Sequence, residues 1–405
     1  MIYRNIYVDG VLSDITVSGG MITSVAVAGS KPVPDEDSVD FHGERWALPG
    51  MVNMHTHSAM TLLRSEGSGL PLQRWLNEAI FPHEAKLTSD DIYTGALEAC
   101  LEMKESGTTA FNDMYFCIES TVRAAHETGI CGNIALSVTD QDFDNGNIKK
   151  FQFLDSKDIS TSISPHSIYA VNGQHLKYLA DFANEHDTLY HIHLSETQME
   201  REDCISEHGV PPVVYLDQLG VLDKVGSHLV AAHSLWLDKT EIQLLGEHRA
   251  TVVHCPNSNL KLGSGCRFLY TELRDAGVNV TLGTDGCASS DNLDMVEAMK
   301  VMSLLQKGTR NDPSVLPAEE VFQVATKNGY RALRLDDAVI KEGHRANFFL
   351  VDISKRVFKG VMDNNINPKE RTKLFLNRFI YAAHGDAVTD TFTAGNAACT
   401  PDITS

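Results

Sequence analysis

Four short segments of the sequence carry histidine, aspartate and glutamate where these residues could do chemistry. Each segment follows an apolar run, and the residues are His55 and His57, His193 with Glu196, His233, and Asp285. Because His55 and His57 are two positions apart on an extended segment, their imidazoles point to the same side. Imidazole and carboxylate together suit a borderline divalent ion such as Zn²⁺. The sequence therefore predicts a metal site, provided that the four segments meet.

The elements that must position these residues are eight apolar runs of strand length. They alternate with helical patterns, which is typical of βα units around a parallel sheet. The runs are Ala47–Met54, Thr108–Met114, Gly132–Val138, Ile159–Ser164, Leu189–Leu194, His228–Ala232, Ala250–His254 and Val278–Gly283. Eight such units in about 250 residues predict an α/β fold, a (β/α)8 TIM-like barrel. Active sites of such barrels lie at the carboxyl ends of the strands, so the residues that follow the runs should share one face.

Helices are predicted around the barrel from periodicity and end signals. Thr88 and Asp91 have capping-box spacing, and Gly107 ends the helix that they begin. The predicted helices are Ser89–Ser106, Gln174–Glu185, Asp238–Gly246, Phe268–Ala276, Asn292–Gln306 and Pro317–Leu333.

Both ends of the chain are rich in short strands rather than in βα units. The strand patterns near the start are Tyr3–Val8, Ile15–Val17, Met21–Ala26 and Ser38–His42. Near the end, Asn347–Val351 is apolar and Leu374–Tyr381 is a further strand candidate. We therefore predict a small β domain made from residues 1–46 and 338–405, packed beside a catalytic barrel domain of residues 47–337.

The composition excludes several classes of protein. Of the 405 residues, 42% are hydrophobic and 22% are charged, as in ordinary globular chains. The 34 basic and 54 acidic residues give a net charge of −20, which disfavours nucleic acid and anionic membranes as partners. No apolar run reaches the ~18 residues of a membrane span, and the eight cysteines form no CxxC pair. We expect a cytoplasmic protein with reduced thiols and a small-molecule substrate, and a homo-oligomer is compatible with the sequence.

The order and spacing of the chemical motifs resemble the amidohydrolase superfamily. Residues 48–57 read LPGMVNMHTH, residues 191–197 read HIHLSET, and residues 254–259 read HCPNSN. Together with AAH at 231–233 and GTDG at 283–286, they are similar to one branch of the superfamily. That branch holds the methylthioadenosine/S-adenosylhomocysteine deaminases and the triazine chlorohydrolases. The likeness covers the chain from residue 1 to about residue 352.

The resemblance implies one bound divalent ion held by four residues: His55, His57, His193 and Asp285. Zn²⁺ is the favoured ion, with Fe²⁺ and Mn²⁺ as alternatives. Binuclear relatives carry a carboxylated lysine at the end of strand four, where this chain reads SPHS at 164–167. A metal-bound hydroxide would attack the substrate, with Asp285 taking the water proton. Glu196 would move a proton to a ring nitrogen, and His233 would orient the water.

The resemblance also implies a substrate. It points to hydrolytic deamination of a purine nucleoside: 5′-methylthioadenosine, adenosine or S-adenosylhomocysteine. Glu84 stands where these deaminases bind the ribose hydroxyls, and His166 stands where they contact the nucleoside. Glu196 faces the ring of the substrate in this interpretation.

Recognition of the homocysteine carboxylate is the point where the chain departs from this pattern. The relatives bind that carboxylate through arginines after strand three, but no arginine occurs between Arg123 and Arg201. An acidic stretch at 140–144 would instead repel it. Lys149 and Lys150 are the remaining candidates to bind it.

Two other interpretations remain open at this point. The enzyme could deaminate guanine or a pterin, or remove chloride from a triazine. A non-catalytic relative used for assembly is disfavoured, because all four ligands and Glu196 are present. Fold alone does not separate these functions.

Overall fold

The chain opens with strands that lie outside the barrel. The computed structural model describes residues 1–30, 37–335, 339–363, 365–393 and 396–398. Residues 396–398 are described through their backbone alone. The first four strands are β1 (Ile2–Val8), β2 (Val11–Ser18), β3 (Met21–Val27) and β4 (Ser38–Pro49). β2 pairs antiparallel with both β1 and β3, and β1 pairs parallel with β4.

Eight parallel strands follow, where the apolar runs predict them. They are β5 (Met51–Thr56), β6 (Thr108–Tyr115), β7 (Cys131–Val138), β8 (Ile159–Pro165), β9 (Tyr190–Leu194), β10 (Leu229–His233), β11 (Thr251–His254) and β12 (Asn279–Leu282). β5 to β8 pair in chain order in one sheet, and β9 to β12 pair in chain order in a second.

Hydrogen bonds near the carboxyl ends of the strands join the two sheets. Between β8 and β9, the His193 N–H donates to the His166 carbonyl at 3.1 Å. Between β12 and β5, the Asp285 N–H donates to the His55 carbonyl at 2.9 Å. Gly283 permits this second approach, because a Cβ at that position would lie 2.8 Å from the backbone N and O of His55. The predicted barrel is confirmed, and its two seams involve candidate metal ligands.

The predicted strand Ala47–Met54 is wrong as a single element. β4 ends at Pro49 in the terminal sheet, and β5 begins at Met51 in the barrel. Gly50 lies between them, and its N–H donates to the Asn347 carbonyl at 3.1 Å. A Cβ on Gly50 would overlap the Thr109 side chain. One apolar run therefore serves two sheets, with a glycine where the chain crosses over.

Side chains alternate between the two sides of a barrel strand. In β9, Ile192 and Leu194 belong to the large apolar cluster that the strands share with the surrounding helices. His191 and His193 occupy the alternate positions and are also buried. The alternation therefore places both imidazoles inside the barrel.

After the barrel, the chain returns to the first sheet. β13 (Phe348–Asp352) pairs antiparallel with β4, and β14 (Val388–Thr393) and β15 (Asn396–Ala398) extend the sheet. The strand order is β15-β14-β13-β4-β1-β2-β3, so both ends of the chain contribute to one sheet, as predicted. The exact domain limits stay a prediction, and residue 338 lies outside the described residues.

The helices agree with the predicted set, with one break. The α-helices are α1 (Leu72–Trp75), α2 (Phe81–Glu84), α3 (Ser89–Glu105), α4 (Ile118–Thr128), α5 (Asp140–Asp144), α6 (Gly173–His186), α7 (Gln198–His208), α8 (Pro212–Gln218), α9 (Val221–Val225), α10 (Lys239–Glu247), α11 (Pro256–Lys261), α12 (Tyr270–Asp275), α13 (Cys287–Ser290), α14 (Met295–Arg310), α15 (Ala318–Ala325), α16 (Lys327–Ala332) and α17 (Pro368–Tyr381). A π-helical turn, Leu76–Ile80, joins α1 to α2. Short 3-10 turns occur at Ser58–Leu63, Ile148–Lys150, Gly226–His228, Arg356–Phe358 and Gly385–Ala387. The predicted helix Pro317–Leu333 is divided into α15 and α16 by Thr326, which has ψ of −91°.

The predicted strand Leu374–Tyr381 is wrong, because these residues belong to α17. The Asn367 side chain caps this helix by accepting the Glu370 N–H at 3.0 Å. Phe375 and Phe379 recur at helical spacing and are fully buried. Trp46 of β4 stacks on Phe375 with ring centroids 4.2 Å apart, so α17 covers the terminal sheet.

None of the helices in the described ranges combines the length and the apolar character needed to cross a bilayer.

Candidate active site

The four predicted metal ligands meet at the carboxyl ends of β5, β9 and β12. Nε2 of His57 lies 3.2 Å from Nε2 of His193 and 3.2 Å from Oδ1 of Asp285. Nε2 of His55 lies 3.6 Å from the same Asp285 oxygen. Within the described residues, two overlapping groups have ligand atoms within 4.8 Å of one another: His55, His57 and His193, and His55, His233 and Asp285.

Hydrogen bonds on the far side of the rings turn the ligand nitrogens towards one another. The Nδ1–H of His57 donates to the Met114 carbonyl at 2.6 Å, and that of His193 donates to the His166 carbonyl at 2.8 Å. The two Nε2 atoms therefore face each other, an arrangement that is attractive only when a proton or a metal ion lies between them. Nδ1 of His55 is 2.9 Å from Nε2 of His191, and the buried Nε2 of His55 has no hydrogen-bond partner. The residues present therefore fit a divalent metal ion.

The electrostatics of the cluster also favour a positive charge. Burial lowers the pKa of His55 to about 3 and holds the pKa of His193 well below 6.5, so both rings are neutral at pH 7. Burial also lowers the pKa of His57, but the hydrogen bond and charge of Asp285 outweigh it and raise the pKa to about 9. Burial alone would raise the pKa of Asp285, yet the two neighbouring imidazoles hold it well below 3.8. Metal ligands are neutral imidazoles and ionised carboxylates, so a bound divalent ion would take the place of the His57 proton beside Asp285.

Glu196 and His233 face each other beside the ligand cluster. Oε2 of Glu196 lies 3.8 Å from Nε2 of His233, and the Ser264 hydroxyl donates to Oε1 of Glu196 at 3.1 Å. Nδ2 of Asn259 lies 3.0 Å from Nδ1 of His233 and fixes that ring from its far side. Burial raises the pKa of Glu196, which favours its protonated form relative to that of an exposed glutamate.

Three residues other than glycine, at or just after the ends of barrel strands, have a left-handed backbone conformation. φ is 52° at Ser195, 70° at His233 and 66° at Asp285. Such conformations cost of order 1–3 kcal/mol each and concentrate at functional sites. All three lie at or just after the carboxyl end of a barrel strand; Ser195 directly precedes Glu196, and His233 and Asp285 are themselves predicted site residues.

One cavity joins the metal-ligand cluster to the predicted substrate residues. Its volume is about 650 Å³, including the open mouth. Its polar lining includes all the predicted site residues except the buried His55: His57, Glu84, His166, His193, Glu196, His233 and Asp285. The other walls are mostly apolar: Met60, Leu72, Trp75, Leu76, Ile80, Phe81, Met114, Phe116 and Leu262. Within the part of the chain that the structure describes, no lysine or arginine lines this cavity.

Glu84 stands at the end of the helical segment that forms the apolar wall. The Tyr115 hydroxyl donates to its Oε1 at 2.6 Å. Burial raises the pKa of Glu84, although the bond from Tyr115 lowers it. The π-helical turn just before α2 is a kind of insertion found frequently at functional sites.

The acidic stretch after β7 does not face the cavity, contrary to expectation. It forms α5, and Asp140 accepts hydrogen bonds from the backbone N–H and side chain of Asn172 at 3.0 and 2.9 Å. Lys149 and Lys150 lie in a 3-10 turn and do not line the cavity either. The residues expected to repel or to bind the homocysteine carboxylate therefore do not line this cavity.

The sequence analysis did not identify the residues that hydrogen-bond to the predicted site residues. The Ser258 hydroxyl donates to Oδ2 of Asp285 at 2.6 Å. The other supporting contacts join Ser264 to Glu196, Asn259 to His233, and Tyr115 to Glu84. Ser258 and Asn259 stand in the HCPNSN segment directly after β11, which was the available signal. Tyr115 and Ser264 gave no such signal, because their partners are distant in sequence.

The comparisons with known proteins agree with this fold and site. The profile of the amidohydrolase family matches residues 46–398. A 5-methylthioadenosine/S-adenosylhomocysteine deaminase from Archaeoglobus fulgidus is 42% identical over 352 residues, covering 84% of this chain and 81% of that protein. A 5′-deoxyadenosine deaminase from Methanocaldococcus jannaschii is 35% identical over 406 residues, covering 98% and 93%.

A solved structure gives the same result. The adenosine deaminase from Xanthomonas campestris with bound zinc superposes with a TM-score of 0.84 at 31% identity, covering 98% of this chain and 91% of that one. The chain belongs to the amidohydrolase family.

Proposed function

We propose that the chain is a metal-dependent aminohydrolase that deaminates adenosine nucleosides carrying a small neutral 5′ group. The proposal depends on one observation: the histidine–aspartate cluster, Glu196 and Glu84 share a single cavity. The cluster alone would fit many hydrolases. Glu196 adds a proton carrier for a leaving amine, and Glu84 adds an acceptor for sugar hydroxyls. The deaminase names of the relatives support the same reaction.

We assign one zinc ion to His55, His57, His193 and Asp285. The bound zinc of the Xanthomonas adenosine deaminase supports the choice of metal. Ser164 supports a single ion, because it occupies the end of β8 and its hydroxyl accepts the His191 N–H at 3.1 Å. When bound, a divalent ion supplies an activated water near neutral pH.

The protein side chains then handle the protons. Asp285 accepts the proton of the attacking water, because its carboxylate stays ionised and Ser258 fixes its second oxygen. Glu196 gives its proton to the ring nitrogen beside the amino group. It then takes up the proton of the hydroxyl added to the ring carbon and passes it to the amino group, which leaves as ammonia, and the proton held by Asp285 returns to Glu196. Burial raises the pKa of Glu196, which favours the protonated form that donates. His233, whose Nε2 lies 3.8 Å from Oε2 of Glu196, orients the water.

The walls of the cavity define the rest of the substrate. Glu84 accepts hydrogen bonds from the ribose hydroxyls, and His166 contacts the nucleoside. The apolar wall from Leu72 to Phe81 suits a 5′-methyl or 5′-methylthio group. S-Adenosylhomocysteine would bring a carboxylate into a cavity without a lysine or arginine to pair with it, in the residues described. 5′-Deoxyadenosine and 5′-methylthioadenosine are therefore the preferred substrates.

An ammonia-release screen with zinc-loaded protein tests this proposal. The panel contains 5′-deoxyadenosine, 5′-methylthioadenosine, adenosine, S-adenosylhomocysteine, guanine, a pterin and a triazine. We expect the highest kcat/KM for the first two compounds. Turnover of guanine, the pterin or the triazine alone would refute the nucleoside assignment, and a preference for S-adenosylhomocysteine would refute the neutral 5′ site.

We also propose that the enzyme works in the cytoplasm. The seven cysteines in the described residues are all unpaired thiols, which is the state expected in a reducing compartment. Size-exclusion chromatography with light scattering would determine whether it forms a homo-oligomer.

A further inference from the structure

The turn after β9, which carries Glu196, is built around a buried carboxylate. Oε1 of Glu200 accepts the Ser195 N–H at 2.7 Å, and Oε2 accepts the Glu196 N–H at 2.8 Å. The Glu200 side chain is almost fully buried. Ser195 has φ of 52°, a left-handed conformation that residues other than glycine adopt rarely. Two successive backbone N–H groups that donate to one carboxylate form an anion-binding nest, and these bonds stabilise the turn.

The same turn braces the segment that carries His233. The Ser195 carbonyl accepts the N–H groups of Leu235 and Trp236, both at 3.0 Å. The Ser234 N–H donates to the Leu194 carbonyl at 2.9 Å. Any movement of the Ser195 peptide would therefore shift the supports of Glu196 and His233 together.

We propose that Glu200 is a positioning residue, which fixes the turn that aims Glu196 and, through Ser195, supports the segment of His233. The kinetic part of this inference rests on the proposed function, whereas the structural part does not. A conventional capping box would return the Glu200 side chain to the N–H of Thr197, the N-cap of α7. Here the carboxylate also binds the two residues before Thr197, so its contacts extend beyond the end of the helix.

The two contacts do not require a fully ionised group. Burial raises the pKa of Glu200 to about 8, although the N–H groups of Ser195 and Glu196 lower it. A protonated carboxyl still has a lone pair on each oxygen and can accept both bonds. Binding both N–H groups, those of Ser195 and Glu196, takes two acceptor oxygens, whereas the amide of a glutamine at this position would supply only one.

Glu200→Gln tests the inference, because it keeps the size of the side chain and loses one acceptor. With zinc-loaded protein and 5′-deoxyadenosine, we expect kcat to fall about 10- to 100-fold as Glu196 is misplaced. KM and bound zinc should remain at wild-type values. Thr197→Ala is the matched control, since it removes the N-cap that accepts the Glu200 N–H at 3.0 Å but leaves both carboxylate contacts. Its melting temperature should fall, while its kcat should not.

Crystal structures of the zinc-loaded variants give a readout besides activity. We expect the Glu196 carboxylate to be displaced in Glu200→Gln, with His55, His57 and His193 unmoved. Should Glu200→Gln fail to fold, Glu200→Asp replaces it, and its shorter arm should displace Glu196 in the same way.

Three results would overturn the inference: an unmoved Glu196 carboxylate, an equal loss of kcat in Thr197→Ala, or loss of zinc from Glu200→Gln. If wild-type protein deaminates no adenosine nucleoside, the proposed function fails, and the position of Glu196 in the crystal structures still decides the role of Glu200.

Discussion

Replacing Glu196 with glutamine tests the assigned proton carrier with a minimal change of shape. The amide oxygen can still accept the Ser264 hydroxyl, which lies 3.1 Å from Oε1 of Glu196. The amide cannot take up and release a proton. General acid–base groups contribute about 10²–10⁴-fold to rate, which corresponds to about 2.7–5.4 kcal/mol of transition-state stabilisation. We expect kcat to fall within that range, with the metal retained because none of its four proposed ligands is changed.

The assay is the initial rate of ammonia release from 5′-deoxyadenosine, with zinc measured in the same samples. Glu202→Gln is the matched control, because Glu202 is an exposed glutamate of α7, the helix that follows Glu196. A Glu196→Gln variant with full zinc and more than about a tenth of the wild-type kcat would refute the reasoning. Glu196 would then be a structural neighbour of His193, and another group would have to supply the proton.

The remaining predictions concern the metal, the sugar and the barrel seam. His55→Ala removes one ligand, so elemental analysis after dialysis should find less zinc than in the exposed-helix control His126→Ala. Glu84→Ala should reduce the preference for nucleosides over free bases by about 10- to 150-fold in kcat/KM, and an unchanged preference would remove Glu84 from the sugar site. Burial raises the pKa of Glu84 above 4.5, so Glu84 should become protonated before the pH has fallen to that value. KM for nucleosides should rise as this protonation occurs, and Glu84→Gln should abolish the pH dependence. Gly283→Ala should destabilise the fold by about 1–3 kcal/mol in denaturant unfolding, whereas Gly308→Ala, with open space around it, should not.

The barrel was predictable because its signal is repeated along the sequence. Eight buried parallel strands give eight apolar runs, and each run is local. The two wrong strand predictions concern one apolar run that contributes to two sheets and one that has helical spacing. Ala47–Met54 crosses between sheets at Gly50, and Leu374–Tyr381 has the spacing of a helix, which the apolar content concealed.

The proposed ligand set was predictable because its members lie at or just after the carboxyl ends of apolar runs. The contacts around it were not, because they join residues that are far apart in sequence. Ser264 and Glu196 are separated by 68 positions, and Tyr115 and Glu84 by 31. The acidic stretch at 140–144 was misplaced for the same reason, since its partners Asn172 and His175 belong to the next helical segment.

The most direct test of the central claim is the deamination of 5′-deoxyadenosine by zinc-loaded protein before and after chelation. We expect conversion to the 6-oxo nucleoside with release of one ammonia per molecule, as the hydrolysis of one amino group requires. Activity should be lost on chelation and restored by added Zn²⁺. Turnover that persists in the fully metal-free protein, or no turnover of any adenosine nucleoside by the zinc-loaded protein, would refute the proposed metal-dependent deamination.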